Sequence, residues 1–233
     1  MKRTKSRPRS LLSLQAVSRN FGDRLALAPM DLELAAGRCA AILGVNGSGK
    51  STLLRIAAGR DTPSSGQVGY EGRQLTEDDP VVRTEIAVIG DLAGAYPDLT
   101  VREHLQLVAV AHGASDRGED LVEAALEECR LAGHGDARPG SLSSGQRQAL
   151  QLACVLVRPR RVLVLDEPEQ RLDPAARRWL GDLLLGEKQS GTAVLVATHH
   201  EELAASVADH IVVLDDGVVI ARGNPDEALG AIR

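Results

Sequence analysis

The chain has 233 residues, 43% of them hydrophobic, and a formal net charge of -5, which is ample for one large domain with a full core. Five of its 27 Lys and Arg residues are Lys2, Arg3, Lys5, Arg7 and Arg9; the remaining body is acidic, which excludes the net basic footprint of a nucleic-acid-binding domain, so no nucleic acid is expected as partner. Cys39, Cys129 and Cys154 are far apart among apolar residues, so they read as buried thiols rather than a disulfide framework or metal site, and no run of eighteen apolar residues is present to cross a bilayer.

Residues 1–10 read as a basic tail, either solvated chain or a contact for anionic lipid. The apolar stretch that follows is interrupted by Ser13 and Gln15 and is too short and polar for a signal-peptide core. From 11 to 43, short apolar runs broken by Gly, Asp and Pro predict three or four strands. The last, "CAAIL", runs into "GVNGSGKST" and then a helix-like stretch over 51–58. Gly44, Gly49, Lys50 and Ser51 fit G-x-x-x-x-G-K-[ST] between a strand and a helix, the context a phosphate-binding loop requires. Successive backbone N–H groups over 45–51 would then form a nest at the positive end of a helix dipole. Lys50 would meet the outer phosphates and Ser51 would ligate Mg2+. A glycine-rich turn with a merely solvated lysine is the alternative.

Beyond the loop, "TPSSGQVGYEGRQL" reads as turn, strand and turn, and "TEIAVIG" as a buried strand ending at Gly90. The pattern is helical over 100–157. Thr100 stands three residues before Glu103, the spacing of a capping box, and the stretch 116–131 puts Leu121, Ala125 and Cys129 on one helical face. Strands return over 161–165, 192–197 and 211–214, and an Asp216-Gly217 turn joins the last to a strand over 218–222 as a hairpin. The expected fold class is α/β: a P-loop NTPase core with a parallel sheet, an antiparallel β subdomain and an all-helical insertion. The expected domain spans 11–233, with its helical subdomain at about 96–157.

Two further strand ends carry chemistry. "RVLVLDEPEQRLDP" is an apolar strand ending in two carboxylates, and parallel strands present ligand groups at their carboxyl ends. Asp166 suits a magnesium partner, and Glu167 suits a base or positioner for an attacking water; a pair of helix-capping carboxylates is the alternative. "AVLVATHHEELA" is another apolar strand, ending in Thr198 and His199. From there an imidazole can reach a terminal phosphate and its water, while His200 reads as a helix-start residue. "GSLSSGQRQALQLACVLVRP" places polar and glycine residues before an apolar-periodic helix, another helix N-terminus able to receive anionic oxygen.

The order P-loop, "LSSGQ", "VLVLDEP", Leu172-Asp173 and Thr198-His199 resembles the ATP-binding subunit of an ABC transporter, over about 11–223. This resemblance implies ATP and Mg2+ as cofactors. Gly44, Asn46, Gly47, Ser48, Gly49, Lys50, Ser51 and Thr52 correspond to Walker A, Asp166 to the end of the Walker B strand, Glu167 to the catalytic glutamate and His199 to the switch histidine. Phe21 falls where the family stacks a ring on adenine; an ordinary core Phe is the alternative. Ser143, Gly145 and Gln146 would act in trans on ATP held by a second ATP-binding subunit, identical or different, in a head-to-tail dimer.

Three positions depart from the family pattern. Ser144 stands where the signature usually has Gly, and Arg171 replaces a small residue before Leu-Asp. Asp91 falls where the Q-loop has glutamine, which makes it a further metal-site candidate. The resemblance also implies an integral-membrane transporter subunit as partner and a peripheral place on the cytoplasmic face of the membrane. "AYPDLTVREHL" resembles ATPases of exporter systems, and the expected function is to power a separate transporter subunit, with export favoured. A soluble ABC ATPase of iron-sulfur assembly, repair or the ribosome is the alternative.

Overall fold

A computed structural model of the chain describes residues 10–76, 78–89, 95–114 and 118–232. Three strands precede the phosphate loop: β1 (Ser10–Phe21), β2 (Arg24–Ala35) and β3 (Cys39–Leu43), with helix α1 (Lys50–Ala57) after it. Next come β4 (Ser65–Tyr70), β5 (Arg73–Gln74), a short helix α2 (Pro80–Thr84) and β6 (Ile86–Ile89). Helices α3 (Val101–Ala111), α4 (Gly118–Glu128) and α5 (Ser144–Leu156) follow, and then β7 (Val162–Asp166), α6 (Pro174–Gln189), β8 (Ala193–Thr198), α7 (Glu201–Val207), the hairpin β9 (His210–Asp215) and β10 (Val218–Gly223), and α8 (Pro225–Gly230).

Two sheets result. One is six-stranded in the order β10-β9-β3-β8-β7-β6, and the other is four-stranded in the order β2-β1-β4-β5. In the first, β6, β7, β8, β3 and β9 run parallel, and only β10 is antiparallel; every pairing in the second is antiparallel. The parallel strands are apolar on both faces because both faces are covered. Cys39, Ala41 and Leu43 turn into a core shared with α3–α8, while Ala40 and Ile42 turn into one shared with α1 and the antiparallel sheet. The two-residue period of β3 thus separates a helical layer from a β layer.

Several expectations are met in detail. Thr100 and Glu103 form the capping box of α3. Gly217, at φ 77°, closes the β9–β10 turn, where a left-handed backbone favours glycine. On α4 the buried residues are Gly118, Val122, Ala125 and Leu126, with Cys129 just beyond, and Leu121 is only partly covered. The core stripe therefore keeps Ala125 and Cys129 of the expected face and adds Val122 and Leu126, with Leu121 at its margin. Gly90 and Asp91 lie outside the described residues.

Candidate functional site

Strand register builds the site. Leu43 pairs with Thr198, and Asp166 pairs with Ala197. The phosphate loop, the Asp166-Glu167 pair and the Thr198-His199 end therefore leave the sheet at one edge, with β8 between β3 and β7. This is the carboxyl edge, where parallel α/β sheets hold their ligands.

A cleft of about 820 Å³ opens there, lined by Phe21, Asn46, Gly47, Gly49, Lys50, Ser51, Thr52, Asp166 and Glu167, among others. Gly44 and Ser48 do not line it. A Cβ on Gly44 would come within 2.4 Å of Leu214 O and Ser48 Oγ, and one on Gly49 within 2.7 Å of Ala26 O. These two glycines are bare because the protein's own backbone and the Ser48 side chain crowd them. Gly47, at φ 85°, has nothing within 4 Å of its Cβ direction and gives the cleft a stretch of uncovered main chain. The Ser48 N–H is taken by Val45 O at 3.2 Å, so it is not one of the free donors expected of the nest. Ser48 O in turn accepts from the Gly217 N–H at 3.0 Å, which buttresses the loop on the β9–β10 turn.

Lys50 is 4% exposed. Its Nζ donates to Gly44 O at 2.9 Å and Val45 O at 3.0 Å, and it lies 3.3 Å from Glu167 Oε1. Glu167 has φ 46°, a left-handed backbone that costs a non-glycine residue about 1 kcal/mol or more. Pro168 contributes by disfavouring the right-handed helical region for the residue before it, and the Glu167 N–H is held by Ala197 O at 2.9 Å. Burial alone would raise the Glu167 pKa. Hydrogen bonds from Gln170 and Lys50 and the nearby Lys50 and His199 outweigh it, holding the carboxyl below its ordinary value, so it stays ionised at neutral pH.

His199 Nδ1 is 3.7 Å from Glu167 Oε2 and 3.9 Å from Glu169 Oε1. His200 is the N-cap of α7 but makes no side-chain cap, as its sequence position implies. Phe21 ends β1 at the rim of the cleft, 52% exposed, and is no core residue. The Arg19 guanidinium stands 4.7 Å from its ring centroid, held by Asp61 at 2.8 Å and Thr62 O at 2.7 Å.

Ser143, Gly145 and Gln146 sit elsewhere, at the start of α5, beside a separate cavity that Arg171, Leu172, Asp173 and Trp179 also line. Ser143 is the N-cap, and Ser144 and Gly145 already lie inside the helix. Ser143 Oγ accepts from the Gln146 N–H at 3.2 Å, and Gln146 Oε1 accepts from the Ser143 N–H at 2.8 Å. Among the described residues, only Arg171 lines both this cavity and the phosphate-loop cleft.

Sequence reasoning passed over Glu169 and Gln170. Both stand within "LDEPEQ", where a third carboxylate two residues after Glu167 was the available signal. Ser51 and Asp166 both line the cleft, and a hydroxyl with a carboxylate is the oxygen-only donor chemistry that suits a hard divalent cation such as Mg2+.

The family model described as "ABC transporter" matches residues 27–170. The chain belongs to the ABC transporter family. It is similar to the Nod factor export ATP-binding protein I of Cupriavidus metallidurans, 33% identical over 221 residues that cover 94% of this chain and 73% of that protein. Among solved structures it resembles an ATP-binding subunit of an ABC transporter, at 30% identity and a TM-score of 0.83, covering 93% of this chain and 91% of that one. It also resembles cbiO1 of Clostridium perfringens, part of the ABC transporter complex cbiONQ, at 28% identity and a TM-score of 0.82 over 95% and 91%. The chain is thus an ABC transporter nucleotide-binding domain that binds ATP. Among its described residues, no helix is long and apolar enough to cross a membrane.

Proposed function

We propose that this ATP-binding subunit hydrolyses MgATP to drive a separate integral-membrane transporter subunit, from the cytoplasmic face of the membrane. One observation carries the reading: Lys50, Glu167 and His199 meet in a chain of contacts of 3.3 and 3.7 Å at the edge of a cleft that a P-loop floors. The P-loop amides and Lys50 bind the phosphates. Lys50 exchanges its two carbonyl partners for phosphate oxygens, a charge-assisted trade. Ser51 and Asp166 would hold Mg2+, which when bound offsets phosphate charge. Glu167, ionised, accepts a proton from the attacking water, and His199 orients it against the terminal phosphate. Adenine stacks on the free face of Phe21.

Ser143, Gly145 and Gln146 serve the ATP of a second ATP-binding subunit, which accounts for a capped, glycine-bearing helix start that lies outside its own chain's cleft. Tyr96, 59% exposed, belongs to the face that meets the membrane subunit. Export is the favoured direction, since relatives at 33% identity are named for Nod factor export. Asp91, outside the described residues, takes the Q-loop place, where it either serves as a further metal-site residue or is held back from the polyphosphate until a partner engages. The test is release of phosphate from MgATP by the purified chain, with loss of ATP binding in Lys50→Ala, and crosslinking from cysteines at 96 and 99 in membranes. Capture of a multi-pass protein is expected. Unchanged ATP affinity of Lys50→Ala, or capture of soluble proteins alone, overturns the corresponding half of the reading.

A further inference from the structure

Glu169 is a buried carboxylate that phosphoryl chemistry does not call for. It is 2% exposed. Its Oε1 accepts a hydrogen bond from the Thr198 hydroxyl, while Oε2 is buried without a hydrogen-bond partner among the described residues. An ionised carboxylate so placed is costly unless a positive group lies near. Two groups are candidates: a metal ion, or an N–H edge of the His199 imidazole, whose hydrogen carries partial positive charge.

The first fits poorly. Ligand atoms of Glu169, His199 and His200 do lie within 4.8 Å of one another. Arg177, however, places Nη1 3.3 Å from His200 Nδ1, so a fixed positive charge already faces the third ligand of any such cluster. At that range a divalent ion would be repelled rather than held.

The second fits the geometry. The Nδ1 edge of His199 faces Glu167 Oε2 at 3.7 Å and Glu169 Oε1 at 3.9 Å. A ring nitrogen turned towards two carboxylates is favoured as N–H over a bare lone pair, which leaves Nε2 as an acceptor for a water O–H. The Thr198 hydroxyl connects both halves of the arrangement, because it donates to Glu169 and accepts from the His200 N–H at 3.0 Å. The geometry points to Glu169 as the positioning residue of His199: its carboxylate holds the Thr198–His200 turn and fixes which imidazole nitrogen carries the proton. It acts through His199 and touches no substrate. This inference rests on the reading of the cleft as an ATPase site with His199 beside the phosphate.

Glu169→Gln tests it, since the amide oxygen can still accept from Thr198 while the charge is removed. Turnover should fall about tenfold, the scale of one charge-assisted contact, with ATP affinity by direct titration unchanged. In a His199→Ala background the same substitution should cost nothing further, because coupled residues are non-additive. Nitrogen-15 NMR of labelled histidine should show His199 with its proton on Nδ1 in the unaltered chain and a mixture of tautomers in Glu169→Gln. An equal loss with and without His199, or unaltered turnover and tautomer in Glu169→Gln, overturns the assignment. Should His199→Ala hydrolyse ATP normally, the ATPase role of His199 fails, and the tautomer measurement still decides whether Glu169 positions the ring.

Discussion

Replacing Glu167 by Gln should separate ATP binding from ATP hydrolysis. The substitution keeps shape, and the left-handed backbone at φ 46° is strained equally for either residue. What changes is charge. At 3.3 Å, the attraction between Lys50 and Glu167 is about 5 kcal/mol at an effective dielectric constant of about 20. Desolvation of two largely buried charges offsets most of it, leaving roughly 1 kcal/mol. Glu167 competes with phosphate for Lys50 by that amount, so Glu167→Gln should bind ATP as tightly as the unaltered chain or up to about fivefold more tightly. Loss of a positioned base costs about 10²–10⁴ in rate, and hydrolysis should fall accordingly, with an ATP-bound dimer accumulating. Titration with a fluorescent ATP analogue, phosphate release under saturating MgATP and gel filtration measure the three quantities. Near-normal turnover would refute Glu167 as the base; parallel loss of binding would refute the separation of its role from that of Lys50.

Arg19→Ala should weaken ATP binding about two- to fivefold, since the guanidinium behind Phe21 braces the ring and adds a cation–π contact of about 0.5–1 kcal/mol; the check is to compare ATP with inorganic triphosphate, whose binding should not change. Asp209→Asn should destabilise the fold by about 2 kcal/mol at pH 7, because Asp209 accepts from the Cys39 N–H and Arg38 at 2.8 Å and pairs with Lys188 at 2.9 Å. Burial alone would raise the Asp209 pKa, but these bonds outweigh it and hold it below 3.8. Its contribution is therefore full above pH 3.8 and is lost as pH falls through the lowered native value, so denaturant melts of variant and parent should differ at pH 7 and converge in acid. Asp91→Gln should raise basal turnover of the isolated subunit if the aspartate stays withdrawn from the polyphosphate; lower turnover with weaker Mg2+ affinity would instead make it a metal-site residue.

Motifs whose chemistry is local were legible in the sequence. The phosphate loop could be read because strand, glycines, Lys50-Ser51 and helix are consecutive, and the α3 capping box because Thr100 and Glu103 are three residues apart. Strand ends at Asp166 and Thr198 could be read because apolar runs covered on both faces stop abruptly at polar residues. Pairings that depend on distant chain could not. No local pattern shows that Gly44 and Gly49 are bare to admit Leu214 O and Ala26 O, since those carbonyls come from a strand 170 positions on and a hairpin 23 positions back. Short helices such as α2 and α8 escaped for a different reason. Each is a single turn or little more, begun by Asp79-Pro80 or Asn224-Pro225, and a Pro at the first position after a capping residue also reads as a turn.

Glu169 shows where the boundary between the two kinds of information lies. As a residue in "LDEPEQRLD" it is one more acid in a polar loop, and composition predicts solvent exposure for it. Only the register of β7 against β8 brings that loop under Thr198 and turns an ordinary surface acid into a buried one facing His199. Burial then changes its meaning: an exposed carboxylate at 3.9 Å from an imidazole would be screened to little effect, whereas one in the interior interacts through a lower dielectric and can determine how the ring is held. The same logic separates Arg171 from its neighbours. Its backbone is left-handed, at φ 64°, and it lines both the nucleotide cleft and the cavity beside Ser143 and Gly145. The departure from a small residue there places a cation between the two surfaces that a head-to-tail dimer would have to bring together.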